Sequence, residues 1–264
     1  MILVLGGTLE GREIASALAE RKHKVLITVV SDYGAELIPR AIPVEVLVKA
    51  LDMVGLKQLF QDRQISLVID ATHPYACAIT ENACEAAEQA KIPYIRFERP
   101  PVSQTLDESR AMVYPVSDFT AGAELSVTLG ETIFLTIGSR HLEPFVIAGC
   151  RNNKRVVARV LPDSLSIEQC VKLGMAPKDI VAVQGPFSLE MNLAMLREYK
   201  AGVLVTKDSG KVGGTDTKLE AAAQLGLPAV MVTRPEGKDI GISVSDSIEQ
   251  LIWQVETILG NQSR

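Results

Sequence analysis

The chain opens on an apolar run, Ile2-Leu-Val-Leu5, that stops at Gly6-Gly7-Thr8. It then passes into an amphipathic stretch with Ile14, Ala17 and Leu18 on one face and Glu10, Arg12, Glu13 and Glu20 on others. A short buried strand, a glycine turn and a helix form the start of a β-α-β unit, which few architectures accommodate. Glycine lets backbone N–H groups come close to an anion there, and the helix dipole favours negative charge at that end. The match to a dinucleotide fingerprint is partial. In the register Gly6-x-Thr8-x-x-Gly11, threonine stands at the middle glycine. The turn therefore reads either as a phosphate cradle or as a plain strand–helix connection.

The same alternation continues along the chain. Strands are expected at 2–5, 24–30, 43–48, 66–70 and 93–97, then at 112–114, 132–137, 155–160, 180–183, 203–206 and 229–233. Helices are expected at 10–21, 52–61, 76–90, 117–128, 164–173, 188–199, 216–225 and 246–259. Short apolar strands alternating with helices imply parallel, doubly wound sheets. A weak internal repeat indicates two halves of similar build. Ala87-Glu-Gln-Ala-Lys-Ile-Pro93 leads to Arg99-Pro100, as Ala222-Ala-Gln-Leu-Gly-Leu-Pro228 leads to Arg234-Pro235. Ile133-Phe-Leu-Thr-Ile-Gly138-Ser139 echoes the N-terminal strand and turn. The expectation is an α/β chain of two Rossmann-like halves, 1–105 and 106–264, with elements able to cross and the last helix able to pack on either.

Composition narrows the function classes. Aromatics make up 5% of the 264 residues against 47% hydrophobic, as in helix-covered parallel sheets. The net charge of −5 argues against nucleic acid as a partner. No apolar stretch approaches the ~18–20 residues of a membrane span, and no basic n-region precedes the first strand, so a cytoplasmic protein is expected. Cys77 and Cys84 share a helix face and Cys150 and Cys170 are isolated; all read as reduced thiols, with no metal site.

In open parallel sheets, ligands meet the carboxyl ends of the strands. The polar residues there are Gly6-Gly7-Thr8, Ser31-Asp32, Asp70-Ala-Thr72-His73-Pro74-Tyr75, Arg96 and Arg99 in the first half. In the second they are Thr136, Gly138-Ser139-Arg140, Arg159, Gln184-Gly-Pro-Phe187, Thr206-Lys207-Asp208-Ser209-Gly210, Gly213-Gly214 and Arg234. His73 reads as a phosphate ligand or general acid, or else as a helix cap. Lys207, Lys211 and Lys218 on a glycine-rich loop read as clamps for carboxylates or a pyrophosphate, or else as solvated lysines. The loop is not a Walker A motif, no Tyr-x-x-x-Lys pair exists, and no Gly-x-Ser-x-Gly elbow is present. His23, in the charged turn Arg21-Lys22-His23-Lys24, reads as solvated.

These motifs, in this order and spacing, resemble the precorrin-6A reductase family of cobalamin biosynthesis, cobalt-precorrin-6A reductases included. The resemblance is carried by Leu5-Gly-Gly-Thr-Leu-Glu-Gly-Arg12, Asp70-Ala-Thr-His-Pro-Tyr-Ala76, Arg96-Phe-Glu-Arg-Pro100, Thr136-Ile-Gly-Ser139 and Arg159-Val-Leu-Pro162. Gln184-Gly-Pro-Phe187, Thr206-Lys-Asp-Ser-Gly210 with Gly213-Gly214, and Thr233-Arg-Pro235 complete it. It implies two Rossmann-like domains with a cleft between them, and hydride transfer from NADH or NADPH to a tetrapyrrole ring at C18–C19. Cofactor contacts are then expected from Gly6, Gly7, Thr8, Glu10, Gly11, Ser31, Asp32, Thr72, Thr136, Gly138 and Ser139. The polyanionic ring is expected to meet Arg12, Tyr75, Arg96, Arg99, Arg140, Lys207, Ser209, Gly213, Gly214, Lys218 and Arg234. His73 and Lys207 are the candidate proton donors. Asp32 points to NADH, since a carboxylate there binds a ribose 2′-hydroxyl and disfavours a 2′-phosphate, whereas Ser31 suits that phosphate. A non-catalytic nucleotide sensor and a transferase with a nucleotide-linked donor are the competing readings.

Overall fold

The computed structural model describes residues 1–98, 112–210, 213–234 and 243–262. They fall into two compact units, Met1–Arg99 with Glu236–Arg264, and Pro100–Pro235.

The first unit begins β1 (Ile2–Leu5), α1 (Leu9–Glu20), β2 (Val25–Val29), α2 (Asp32–Glu36), β3 (Glu45–Val48) and α3 (Met53–Asp62). It continues with β4 (Leu67–Asp70), α4 (Cys77–Ala90) and β5 (Tyr94–Phe97). Thr8, Ser31 and Asp52 start α1, α2 and α3 alike, each side chain accepting from the N–H of a glycine three residues on. The second unit runs β6 (Val113–Val116), α5 (Phe119–Leu129), β7 (Thr132–Leu135), α6 (Glu143–Arg151), β8 (Arg155–Val160) and α7 (Ser164–Lys172). After these come β9 (Ile180–Ala182), α8 (Leu189–Glu198), β10 (Val203–Lys207), α9 (Thr215–Gln224) and β11 (Ala229–Val232). The chain then ends with β12 (Ser243–Ser245) and α10 (Ile248–Gln262).

Two six-stranded parallel sheets result, ordered β12-β5-β4-β1-β2-β3 and β6-β11-β10-β7-β8-β9. Each has the Rossmann order 3-2-1-4-5-6. The sixth place is filled by exchange. After β5 the chain continues to β6, which pairs with β11 in the second sheet; after β11 it continues to β12, which pairs with β5 in the first. The C-terminal stretch, for which the division at 105 left crossing open, groups with the first unit. Leu251, Ile252 and Val255 of α10 pack with Ile14 and Leu18 of α1, and Glu256 meets His23 Nε2 at 2.9 Å. His23 is thus within hydrogen-bond distance of a carboxylate, not merely solvated.

Alternation along the strands sends successive side chains to opposite faces. In the first sheet Ile2 and Val4 join the α1/α10 side, while Leu3 and Leu5 join Leu56, Phe60 and Ala87 of α3 and α4. In the second, Ile133 and Leu135 pack with Phe145 of α6, while Phe134, Val157 and Leu204 pack with Leu193 and Leu219 of α8 and α9. Among the described residues α2, α6, β12 and the single 3-10 turn Pro177–Asp179 escape the sequence reading. Helix α6 contains Gly149, an unfavourable helix residue; a Cβ there would lie 2.5 Å from Val156 Cγ2, so close packing on β8 selects glycine.

Candidate active site

Strands β1 and β4 are neighbours at the point where the order of the first sheet reverses, the ligand position of this fold. The turn after β1 is built by close approach. A Cβ on Gly6 would lie 2.8 Å from Ile27 Cδ1, and one on Gly11 would lie 3.1 Å from Gly6 Cα. Gly7 has φ +106, and a Cβ there would meet nothing within 4 Å. Thr8 caps α1: its Oγ1 accepts from Gly11 N at 3.0 Å and donates to Ala71 O at 2.8 Å. The threonine that breaks the fingerprint therefore ties the turn to β4, and its hydroxyl is committed internally. Thr8→Ala is expected to cost about 1–2 kcal/mol through the lost cap; urea denaturation checks this, and an unchanged midpoint would contradict it. Glycine space together with a capped helix N-terminus fits a dinucleotide pyrophosphate.

Asp70 ends β4 with its side chain fully buried. It accepts from Tyr94 Oη at 2.7 Å and Thr72 N at 2.9 Å, and its Oδ1 lies 2.7 Å from an Arg96 guanidinium nitrogen. Arg96, 6% exposed, also donates to Thr72 Oγ1 at 2.9 Å. Burial, then the Asp70 charge, pushes the Tyr94 phenol well above its ordinary pKa. The network fixes the turn that carries His73. There Nδ1 accepts from Tyr75 N at 3.3 Å, which puts the proton of the neutral ring on Nε2. The ring also tilts against Tyr75, with centroids 5.6 Å apart. Helix α4 has Ala76 at its N-cap position and no side-chain cap, so His73 is not its cap.

In the second unit the turn after β7 carries Gly138 at φ +79. Thr136 Oγ1 donates to Val205 O at 2.9 Å, and Ser139 Oγ lies 3.2 Å from Ser166 Oγ of α7. Lys207 ends β10; burial, then exposed Arg140, lowers its pKa to about 8. Beyond it Ser209 and Gly213 touch so closely that a Cβ on Gly213 would lie 2.4 Å from Ser209 Cβ, and Gly214 turns into α9 at φ +65. Lys218 of α9 donates to Gly213 O at 2.8 Å. Its pKa falls to about 7 through burial, then the charges of Arg159 and Lys207, with Asp216 opposing. Arg159 near the end of β8 has its pKa lowered to about 10 by burial.

The expected residues thus gather at strand ends within each unit. Gly6, Gly7, Thr8, Glu10 and Gly11 share one turn; Thr72, His73 and Tyr75 follow β4, and Thr8 is bonded across to Ala71. Arg12 is half-buried on α1. Ser31 and Asp32 follow β2 and are exposed, with the Ser31 hydroxyl accepting from Gly34 N at 3.2 Å. Thr136, Gly138, Ser139 and Arg140 follow β7, Lys207 ends β10 and Ser209 follows it. Two expected ring cations are engaged inside the protein. Arg96 pairs with Asp70, and Arg234 lies 3.9 Å from Asp208 Oδ1 and donates to Asp208 O at 3.1 Å. Arg99 and Lys211 lie outside the described residues. Arg159 stands among the polar strand ends and the family motifs of the sequence, but it was given no specific cofactor or ring contact there.

Sheet order and glycine cradle define a class: a Rossmann-like α/β protein built of two units. The family model described as precorrin-6x reductase CbiJ/CobK matches residues 1–256, and the chain belongs to that family. A cobalt-precorrin-6A reductase of Methanothermobacter thermautotrophicus is 39% identical over 98% of this chain and 84% of its own length. One from Priestia megaterium is 37% identical over 89% of this chain and 91% of its own. Among solved structures, a CobK precorrin-6A reductase superposes with TM-score 0.79 at 25% identity, covering 97% of this chain and 96% of its own. No helix among the described residues is long and apolar enough to cross a membrane.

Proposed function

We propose that the protein reduces the ring of (cobalt-)precorrin-6A to (cobalt-)precorrin-6B in cobalamin biosynthesis, with a nicotinamide cofactor as reductant. The carrying observation is the family match along nearly the whole chain, read with the glycine cradle of the first unit. When bound, the cofactor supplies the hydride. The chain supplies position and electrostatics. Gly6, Gly7 and Gly11 admit the pyrophosphate to the start of α1, and Thr72, held by Arg96, lines the neighbouring turn. Asp32, exposed after β2, suits a free ribose 2′-hydroxyl, which favours NADH.

Arg140 after β7, Lys207 at the end of β10 and Lys218 on α9 are the cations for the acetate and propionate groups of the ring. Arg96 acts in this reading as a positioning residue, because its charge is already matched by Asp70. Of the two proton-donor candidates, Lys207 is the better placed electrostatically. Its pKa of about 8 keeps it protonated near neutral pH yet acidic enough to give the proton up. His73 has its Nδ1 engaged by the Tyr75 N–H, which leaves Nε2 as the nitrogen that would donate from a neutral ring.

The test is an anaerobic incubation with precorrin-6A or its cobalt form and either NADH or NADPH. Loss of reduced-pyridine absorbance should accompany the change in the tetrapyrrole spectrum, faster with NADH. No oxidation with either ring would sink the reductase reading; a preference for NADPH would sink the role given to Asp32.

A further inference from the structure

The two sheets treat buried charge differently. Pairing places Thr28, Leu5, Asp70 and Arg96 in one row across the first sheet, where Asp70 and Arg96 neutralise each other. In the second sheet the pairs Ala158–Leu135 and Leu135–Val205 are followed, one residue on, by the row Arg159–Thr136–Thr206, with Met231 beside Thr206. Threonine and methionine stand where the first sheet has its aspartate and arginine. Arg159 is 8% exposed and has no acid partner among the described residues. It donates to Asn192 Oδ1 at 2.8 Å, and its guanidinium carbon lies 4.8 Å from the Phe187 ring centroid.

Other observations converge on the same face. Alternation puts Arg159, Thr136 and Thr206 on the side of Val157, Phe134 and Leu204, which α8 and α9 cover. Thr206 Oγ1 is buried there with no hydrogen-bond partner among the described residues. Lys218, 9% exposed on α9, donates to one backbone carbonyl and feels the charges of Arg159 and Lys207. A buried cation without a counter-charge is costly; Arg159 has none among the described residues, and Lys218, which feels its charge, has only Asp216 to oppose it, so the two suit an anion that arrives from outside.

We infer that Arg159 and Lys218 form an oxyanion site at the carboxyl end of the second sheet, occupied by a carboxylate of the ring. The identity of the carboxylate rests on the proposed reduction; a nucleotide phosphate has the same chemistry. An oxyanion favours charged Lys218 against Arg159 and Lys207, the repelling cations, and adds to Asp216. Binding therefore takes up a proton, and affinity falls as pH rises above about 7.

The experiment compares wild type with Arg159→Met and Arg159→Lys. Citrate, at constant ionic strength, should raise the thermal midpoint of wild type, raise that of Arg159→Lys less, and leave that of Arg159→Met unmoved. Without anion, Arg159→Met should be at least as stable as wild type, because an apolar side chain replaces an unmatched charge. In turnover, its KM for the ring should rise about tenfold or more, beyond any change in KM for NADH. A rise confined to the KM for NADPH would overturn the carboxylate assignment and make a phosphate the occupant. A destabilised Arg159→Met that keeps the wild-type citrate response and ring KM would overturn the site and leave Arg159 a prop for Asn192 and Phe187. An Arg159-dependent citrate response in a protein that reduces neither ring would support the site while refuting the reduction.

Discussion

Asp70→Ala is expected to destabilise the first unit by about 3–5 kcal/mol, the cost of stranding a buried cation. Arg96 is buried, and Asp70 is the acid that matches it. The substitution also takes the acceptor from Tyr94 Oη and from Thr72 N, both inside the same low-dielectric pocket. Asp70→Asn keeps an acceptor and should lose less. Replacing both members of the pair, Asp70→Leu with Arg96→Met, should recover much of the loss, since a buried ion pair gains little over apolar packing. Urea denaturation of the three variants measures this. A loss under about 1 kcal/mol in Asp70→Ala would mean that Arg96 finds another counter-charge.

Gly7→Val is expected to weaken cofactor binding about 100-fold, roughly 2.7 kcal/mol, with a much smaller effect on folding. A side chain at φ +106 is strained, at about 1–2 kcal/mol. The larger effect is on access. The space a Cβ would enter beside Gly7 is open on the protein side, and it borders the N-terminus of α1, where a pyrophosphate would lie. Fluorescence titration with NADH reads the affinity directly, and the urea midpoint separates it from misfolding. Wild-type affinity in a folded Gly7→Val protein would remove the cofactor from this turn.

Much of this architecture is legible before any coordinates. Strands β1, β2 and β4 are buried on both faces, so they appear in the chain as runs of Ile, Val and Leu, broken only by Thr28 within β2 and closed by Asp70 in β4. The helices announce themselves through periodicity and through Thr8, Asp52, Asp118, Asp163 and Ser188 at their starts. The glycine turn is visible because only glycine tolerates the approach of Gly6 to Ile27 and Gly11 to Gly6. Elements that depend on a distant neighbour are harder to see. Strand β12 is Ser-Val-Ser, with no apolar run of its own; it becomes a strand by pairing with β5, far earlier in the chain.

The functional residues divide on the same line. Arg96 and Arg159 are both arginines at the ends of apolar strands, and nothing local tells them apart. Register makes the difference: Arg96 lies beside Asp70, and Arg159 lies in a row of threonines. Local pattern thus specified the parallel α/β class, the turn after β1 and the roster of polar strand ends, because periodicity, capping and glycine geometry act within a few residues. The exchanged sixth strands, the internal use of the Thr8 hydroxyl and the contrast between a neutralised and an unmatched arginine came from folding. Charge and hydrogen-bond satisfaction are properties of neighbours, and in a parallel sheet the neighbours arrive from remote parts of the chain.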